Sequence, residues 1–347
     1  VEARFKVSYP PPNRSSQRIL LAAFVLGYFL LAIAGQRLLF TPGTFWSGDT
    51  GIKWLQAEVL SRSGFQHIAL PYPAEEWDPE GRFFPYRRPF VEHIEGRFYC
   101  AYPIVFPALM ALSQLAMGSG GAGLIVALGS ACLLILAARL GRELFQKDLN
   151  DNSPHSSNSR EGSDSPSILP LKVMVVLGLA CPVLVYSFLL WAHTLAAALF
   201  LAGILILLRD FHRPGRFHLW LAPGVLFALA TWMRIEGYGF TLATLFALLL
   251  VGEGGWRRRM MRCTLFLAGF GLGLLPVAIF QWYLYGHPMG PHAAGVLSQW
   301  DRVRHHAIDA YIGAPDSRLH RLSMVDYFFF RSTNFMRFSA QTAVVFF

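Results

Sequence analysis

Charge is scarce in this chain. Asp, Glu, Lys and Arg make up only 15% of its 347 residues, against roughly 25% in ordinary soluble domains. That excludes a soluble enzyme of common composition. Cysteine is scarce too. The four present, Cys100, Cys132, Cys181 and Cys263, form no CxxC pair. Neither a disulfide framework nor a thiolate metal centre is therefore expected. No glycine-rich phosphate loop stands between a strand and a helix, so no nucleotide site is expected. His287, His292, His305 and His306 form a loose set whose spacing fits no metal pattern. The expectation is no metal and no cofactor. No internal repeat is evident either, which weighs against carriers built from inverted repeats.

What the chain has is apolar length. Hydrophobic residues make up 54% of it, and the mean hydropathy is +0.40. The apolar residues fall in runs long enough to span a bilayer, which takes about 20 residues as helix. The fold class expected is all-α: a polytopic transmembrane helical bundle. The formal net charge of +9 does not point to nucleic acid. Much of it is arginine at the ends of apolar runs, where it sets orientation in the lipid bilayer.

The chain order gives a topology. Arg4, Lys6, Arg14 and Arg18 precede the first run, residues 19–40. They place the N-terminus in the cytoplasm. Residues 41–120 are then an extracytoplasmic loop. Its prolines favour short extended pieces and interfacial segments. Within it, residues 103–118 are apolar, interrupted by Pro107 and shorter than a span; an interfacial helix is expected there. Residues 121–138 cross inward to Arg139, Arg142 and Lys147. Residues 141–168 are read as a disordered cytoplasmic loop, rich towards its end in Ser, Asn, Asp and Pro. Residues 171–208 are too long for one crossing and must fold back at Trp191-Ala192-His193-Thr194. Residues 218–251 do the same at Arg234-Ile235-Glu236-Gly237. Arg257, Arg258, Arg259 and Arg262 lie inside, and residues 263–285 cross outward. Residues 286–337 form a second extracytoplasmic loop, and a last apolar run follows. That makes about seven spans and a truncated eighth in a single transmembrane domain, residues 1–347. Val1 at one end and an apolar run cut at Phe347 at the other lead us to expect a fragment.

The candidate functional residues are polar groups at the outer turns. Asp49 opens the stretch 47–58, just after the first run. Its carboxylate can cap the helix that follows or act as a base at the membrane surface. Ile52, Leu55, Val59 and Leu60 repeat at spacings of three and four, so an amphipathic helix is expected, with Lys53, Gln56 and Glu58 off its apolar face. Lys53 follows Asp49 by four residues, as a salt-bridge partner or a phosphate contact. Arg234 suits a lipid phosphate through its planar fork, or pairs with Glu236. Arg87 and Arg88, between Tyr86 and Phe90, either cover the same site or anchor an interfacial segment. His193 lies at another outer turn.

These features resemble the GT-C superfamily of membrane glycosyltransferases, in the protein mannosyltransferase type that includes the lipid A aminoarabinose transferases. The resemblance rests on four places: Gly48-Asp49-Thr50-Gly51-Ile52-Lys53, the segment from Tyr102-Pro103 to Pro107, the turn from Tyr186-Ser187 to His193-Thr194, and Met233-Arg234-Ile235-Glu236. Related sequences carry an acidic residue just before the histidine, where this chain has Ala192. The resemblance implies transfer of a sugar from a polyprenyl-phosphate donor to a hydroxyl of a lipid, glycan or protein acceptor, with inversion. It places the active site on the extracytoplasmic face of a bacterial inner or plasma membrane. Asp49 would be the catalytic base; Arg234, Lys53, Arg87 and Arg88 would hold the donor phosphate; His193 and Glu236 would contact substrate. The rival class is a transporter or lipid flippase without chemistry, with charges near the bilayer midplane.

The topology has a direct check. A unique cysteine near Ser157 should resist impermeant thiol reagents in intact cells, while one near Glu80 is labelled. Labelling near Ser157 would mean that residues 103–118 cross the membrane and that every later loop is reversed.

Overall fold

The computed structural model describes residues 14–39, 45, 47–86, 90–151, 169–180, 182–211, 217–251, 255–285 and 288. All of them lie in the first of two compact units, residues 1–292; the second, residues 293–347, lies outside the described residues. The elements in order are α1 (Arg14–Leu39), α2 (Gly48–Arg62), β1 (Val91–Ile94), β2 (Arg97–Cys100), α3 (Val105–Met117), α4 (Ala122–Asp151), α5 (Leu169–Leu179), α6 (Val183–Phe188), α7 (His193–Phe211), α8 (Leu221–Thr231), α9 (Gly237–Val251) and α10 (Trp256–Tyr285). The chain is mostly helical, as expected. Among the described residues, three stretches are long and apolar enough to cross a membrane: Ser15–Leu38, Ala122–Leu144 and Trp256–Leu284. Together they indicate a membrane protein. Five further apolar helices are shorter: α3, α5, most of α7, α8 and α9.

Contacts between the helices fix their directions. Tyr28 of α1 packs with Leu134 and Ala138 of α4, and the far end of α1 brings Gln36 against Gly123. So α1 and α4 are antiparallel. Gly129 of α4 meets the backbone of Leu195, and Glu143 pairs with Arg209 at 3.0 Å, so α4 and α7 are parallel. Gly203 of α7 faces Pro223 and Phe227 of α8, which runs back. Tyr238 meets Phe270, and Arg259 donates to the Leu249 carbonyl at 2.9 Å, so α9 and α10 are antiparallel. One end of the unit therefore gathers Gln36, the start of α4, and the turns before α7 and α9. The other gathers Arg139, Arg142, Arg209 and Arg257 to Arg259.

The tightest crossing is α8 on α10. Gly224 and Ala228 lie one turn apart on α8, facing Gly269 and Gly273 on α10. Small residues four apart let two helix backbones meet, the usual device where lipid supplies no hydrophobic drive. A methyl group at Gly224 would fall 2.1 Å from the Phe266 carbonyl oxygen.

Segment 63–104 carries the small non-helical part. β1 and β2 pair antiparallel, with Val91 opposite Cys100. Glu95 and Gly96 close the hairpin with φ of 49° and 79°, the positive values that a two-residue hairpin loop needs. Phe98 stacks on Phe84 at 4.0 Å, and Ile52, Leu70, Val91 and Cys100 complete that cluster. Tyr72 and the Phe83 amide both donate to one oxygen of Asp78, at 2.6 and 2.7 Å. That holds the Asp78 carboxyl below its usual range and lifts the Tyr72 phenol to about 12.

Several expectations are corrected. The fold is not purely α, because of this hairpin. Pro107 does not break α3; it sits in the first turn, where its missing N–H has no helical partner to lose. At 13 residues α3 is shorter than the three span-length stretches, like α5, α8 and α9. The first part of the loop expected over 141–168 is helical, since α4 runs to Asp151; residues 152–168 lie outside the described residues. The apolar stretch before His193 is broken near Pro182 into α5 and α6, a division the sequence reading lacked. The second loop, 286–337, and the final run lie outside the described residues, apart from residue 288.

The α8–α10 crossing sets a stability contrast. Gly224→Ala should lose about 1–3 kcal/mol through overpacking. Gly271→Ala, where nothing lies within 4 Å of the added methyl, should be neutral or mildly stabilising. Thermal unfolding of the detergent-solubilised protein distinguishes the two. Equal effects would mean that the crossing is loose.

Candidate functional site

Helix α2 begins with a cap that is not Asp49. Ser47 is the N-cap, and its hydroxyl accepts from the Thr50 amide at 3.3 Å. Asp49 sits in the first turn, where a carboxylate is favoured by the helix dipole. Its side chain is thus free of the capping task. It turns instead to Lys53, whose Nζ lies 2.9 Å from Oδ2 in a hydrogen bond. The same Nζ lies 2.8 Å from Oδ1, a charge contact without hydrogen-bond geometry.

Lys53 is buried, its side chain only 4% exposed against 20% for Asp49. This corrects the amphipathic expectation. The inward face of α2 carries Ile52, Lys53, Gln56, Ala57 and Leu60, while Leu55 and Val59 are only half-buried. Two polar residues turn inward because each finds a partner. Gln56 donates to the Ile68 carbonyl at 3.1 Å. Lys53 has Asp49, and its ammonium lies 4.3 Å above the Tyr102 ring. Burial pushes Lys53 below its ordinary 10.5, and Asp49 opposes that shift. Tyr102 donates to Asp49, and burial together with that carboxylate raises its phenol. Beneath them, burial pushes the Cys100 thiol up to about 12.

Two segments touch this helix start, and a third brings charge near it. From the turn before α7, Trp191 donates through Nε1 to the fully buried Thr50 hydroxyl at 2.9 Å. Tyr186 stacks on His193 at 4.6 Å, and Trp191 lies 5.0 Å from the same ring. From segment 63–104, the Tyr86 hydroxyl covers Gly51 so closely that an added methyl would fall 2.3 Å away. From the turn between α8 and α9 comes Arg234, whose Nε donates to Glu236 at 3.1 Å while its Nη2 pairs with the other oxygen. Burial raises the Glu236 carboxyl, but its own amide and Arg234 outweigh this and hold it below 4.5.

These charges share one electrostatic neighbourhood. His193 feels Arg234, Lys53, Glu236 and Asp49 together, and Lys53 feels both Asp49 and Arg234. So Asp49, Lys53, His193, Arg234 and Glu236 are brought together. Arg234 is 27% exposed and Glu236 54%, so the pair stands at the open side of the cluster. Arg87 and Arg88 lie outside the described residues. Tyr102, Thr50 and Trp191 were missed as site residues. Tyr102 had a signal, because it opens one of the segments that carry the family resemblance. Among the described residues no group of His, Cys, Asp and Glu could hold a metal ion.

The arrangement offers two cations, two carboxylates and an imidazole whose Nδ1 is buried without a hydrogen-bond partner. An anion entering between Lys53 and Arg234 meets both cations, each at present neutralised by its own carboxylate. No family model, no curated protein and no solved structure matches the chain.

Lys53 sets a pH dependence. Its folded pKa lies below the unfolded one, so the unfolded chain binds more protons between the two. Stability therefore rises with pH through that window, up to about 10.5. Removing the Asp49 charge extends the window downward. Asp49→Asn should gain stability with rising pH over a wider range below about pH 10.5 than the parent does, in thermal melts. Parallel curves would show that Lys53 is solvated.

Proposed function

We propose that the chain is an integral membrane glycosyltransferase. It takes a sugar from a polyprenyl-phosphate donor and passes it to an acceptor hydroxyl at the extracytoplasmic face. The observation that carries this reading is the convergence of Asp49, Lys53, His193, Arg234 and Glu236 at one end of the helices. The arginine clusters at the other end support a cytoplasmic N-terminus and an outward-facing site. In this reading α1, α4, α5 with α6, α7, α8, α9 and α10 make seven crossings, the shorter helices completing theirs with flanking turns.

The chemistry follows from the charges. The acceptor oxygen attacks the anomeric carbon from the side opposite the phosphate. The bond from that carbon to the phosphate oxygen breaks, and its electron pair leaves with the polyprenyl phosphate. The hydroxyl proton passes to Asp49, and the configuration inverts. Cations at the leaving phosphate lower the barrier where negative charge develops. Lys53 covers Asp49 before substrate arrives. An entering phosphate draws Lys53 away and leaves the carboxylate open as a base. Arg234 exchanges Glu236 for phosphate oxygens in the same way. His193, stacked on Tyr186, is placed beside the sugar.

Two substitutions separate the roles. Asp49→Asn should cut turnover by about 10²–10⁴ while donor binding stays intact, because Asn cannot take the proton. Ser47 caps α2, so that loss cannot be ascribed to capping. Arg234→Ala should weaken binding of the donor lipid, and Arg234→Lys should restore it only in part, since a point charge lacks the fork. Near-normal turnover in Asp49→Asn would sink the base assignment and favour transport without chemistry.

A further inference from the structure

A second feature lies at the arginine end, away from Asp49. A cavity of about 630 Å³ opens between α1, α4 and α5. Its walls are almost wholly apolar, with Leu21, Val25 and Phe29 on one side and Leu128, Ile135 and Met174 on the other. Arg139 and Arg142 are the charged residues lining it, three apart and so on one face of α4. Both are exposed, and neither forms an ion pair or hydrogen bond with a described residue. The neighbouring carboxylate, Glu143, is taken by Arg209 at 3.0 Å.

We propose that this groove binds an anionic phospholipid, with one acyl chain along the apolar walls and the phosphate on Arg139 and Arg142. Three observations carry this. First, α1 and α4 are both long and apolar enough to span a membrane, so the groove between them opens into lipid. Second, the groove has the depth of one leaflet. Residues 128 to 139 rise about 16 Å along α4, roughly half of a 30 Å hydrocarbon core. Third, two cations with no ion pair to a described residue sit at its end, where each basic residue favours an anionic headgroup. The antiparallel packing of α1 on α4 puts this groove in the leaflet opposite the Asp49 cluster. The proposal needs the two helices to span but does not depend on the transferase reading.

The test uses the full chain in detergent micelles, with phosphatidylglycerol and phosphatidylcholine of identical acyl chains as probes. Native mass spectrometry reads the lipid retained. Modification of Cys132, an exposed thiol lining the groove, reads occupancy directly; Cys100 and Cys263 are buried, and a Cys181→Ser background removes the fourth. Phosphatidylglycerol should bind about ten- to thirtyfold more tightly than phosphatidylcholine and should protect Cys132 at lower concentration. The double change Arg139→Gln with Arg142→Gln should abolish that preference, and the Lys pair should keep most of it. Ala22→Trp, which fills the groove from its exposed side, should remove binding of both lipids. Equal affinity of the parent for the two lipids would overturn the proposal. So would an undiminished preference in the Gln pair, or phosphatidylglycerol retained by Ala22→Trp.

Discussion

A lysine ammonium that is nearly closed to solvent must be answered by a carboxylate, and Lys53 is answered by Asp49. The rest of the candidate site follows from that pair. Breaking a buried pair on one side strands the other charge, at a cost of about 3–5 kcal/mol. The pair therefore fixes the start of α2 and with it Thr50, which receives Trp191. Trp191 holds the aromatic turn with Tyr186 and His193. Tyr102 lies under the ammonium and donates to the carboxylate, which ties the end of the hairpin to the same point. A neutral, well-packed pair would stabilise the fold at least as well. We read its retention as functional: a poised cation and a poised base that an anionic substrate separates.

The helices supply the frame for this pair. Backbone-to-backbone crossings at Gly129, Gly224 and Gly269 bring the helices closer than larger side chains allow. That closeness sets the turns before α7 and α9 beside α2. Both turns end apolar segments, so the polar groups they carry collect at one end, where lipid does not charge them the cost of full desolvation. Arginines collect at the other. The same division also separates the two sites described here, the polar cluster proposed for reaction and the apolar groove proposed for an anionic lipid.

Much of this was legible in the sequence. Apolar run length gave the helical class, and polar breaks at Trp191 to Thr194 and at Arg234 to Gly237 marked the turns that build the site. The four-residue spacing of Asp49 and Lys53 gave their contact. What failed was inference from periodicity in α2. A stripe of Ile52, Leu55, Val59 and Leu60 implied an apolar face, yet Lys53 and Gln56 face inward, because burial of a polar side chain depends on distant partners such as the Ile68 carbonyl and the Tyr102 ring. Asp49 was open to a capping role, yet Ser47 is the better-placed hydroxyl. Pro107 was read as a break, but a proline in a first turn costs nothing. Arg234 with Glu236 remained open between pairing and phosphate binding. The free structure holds the pair, as two charges two residues apart at a turn readily do.

The central claim is that one anionic phosphate competes for both cations of this cluster. A structure of the protein with polyprenyl phosphate bound tests it most directly. The phosphate should lie about 3 Å from both the Lys53 ammonium and the Arg234 guanidinium, with the Lys53–Asp49 contact opened. A phosphate bound elsewhere, with Lys53 still on Asp49 and Arg234 still on Glu236, would contradict it.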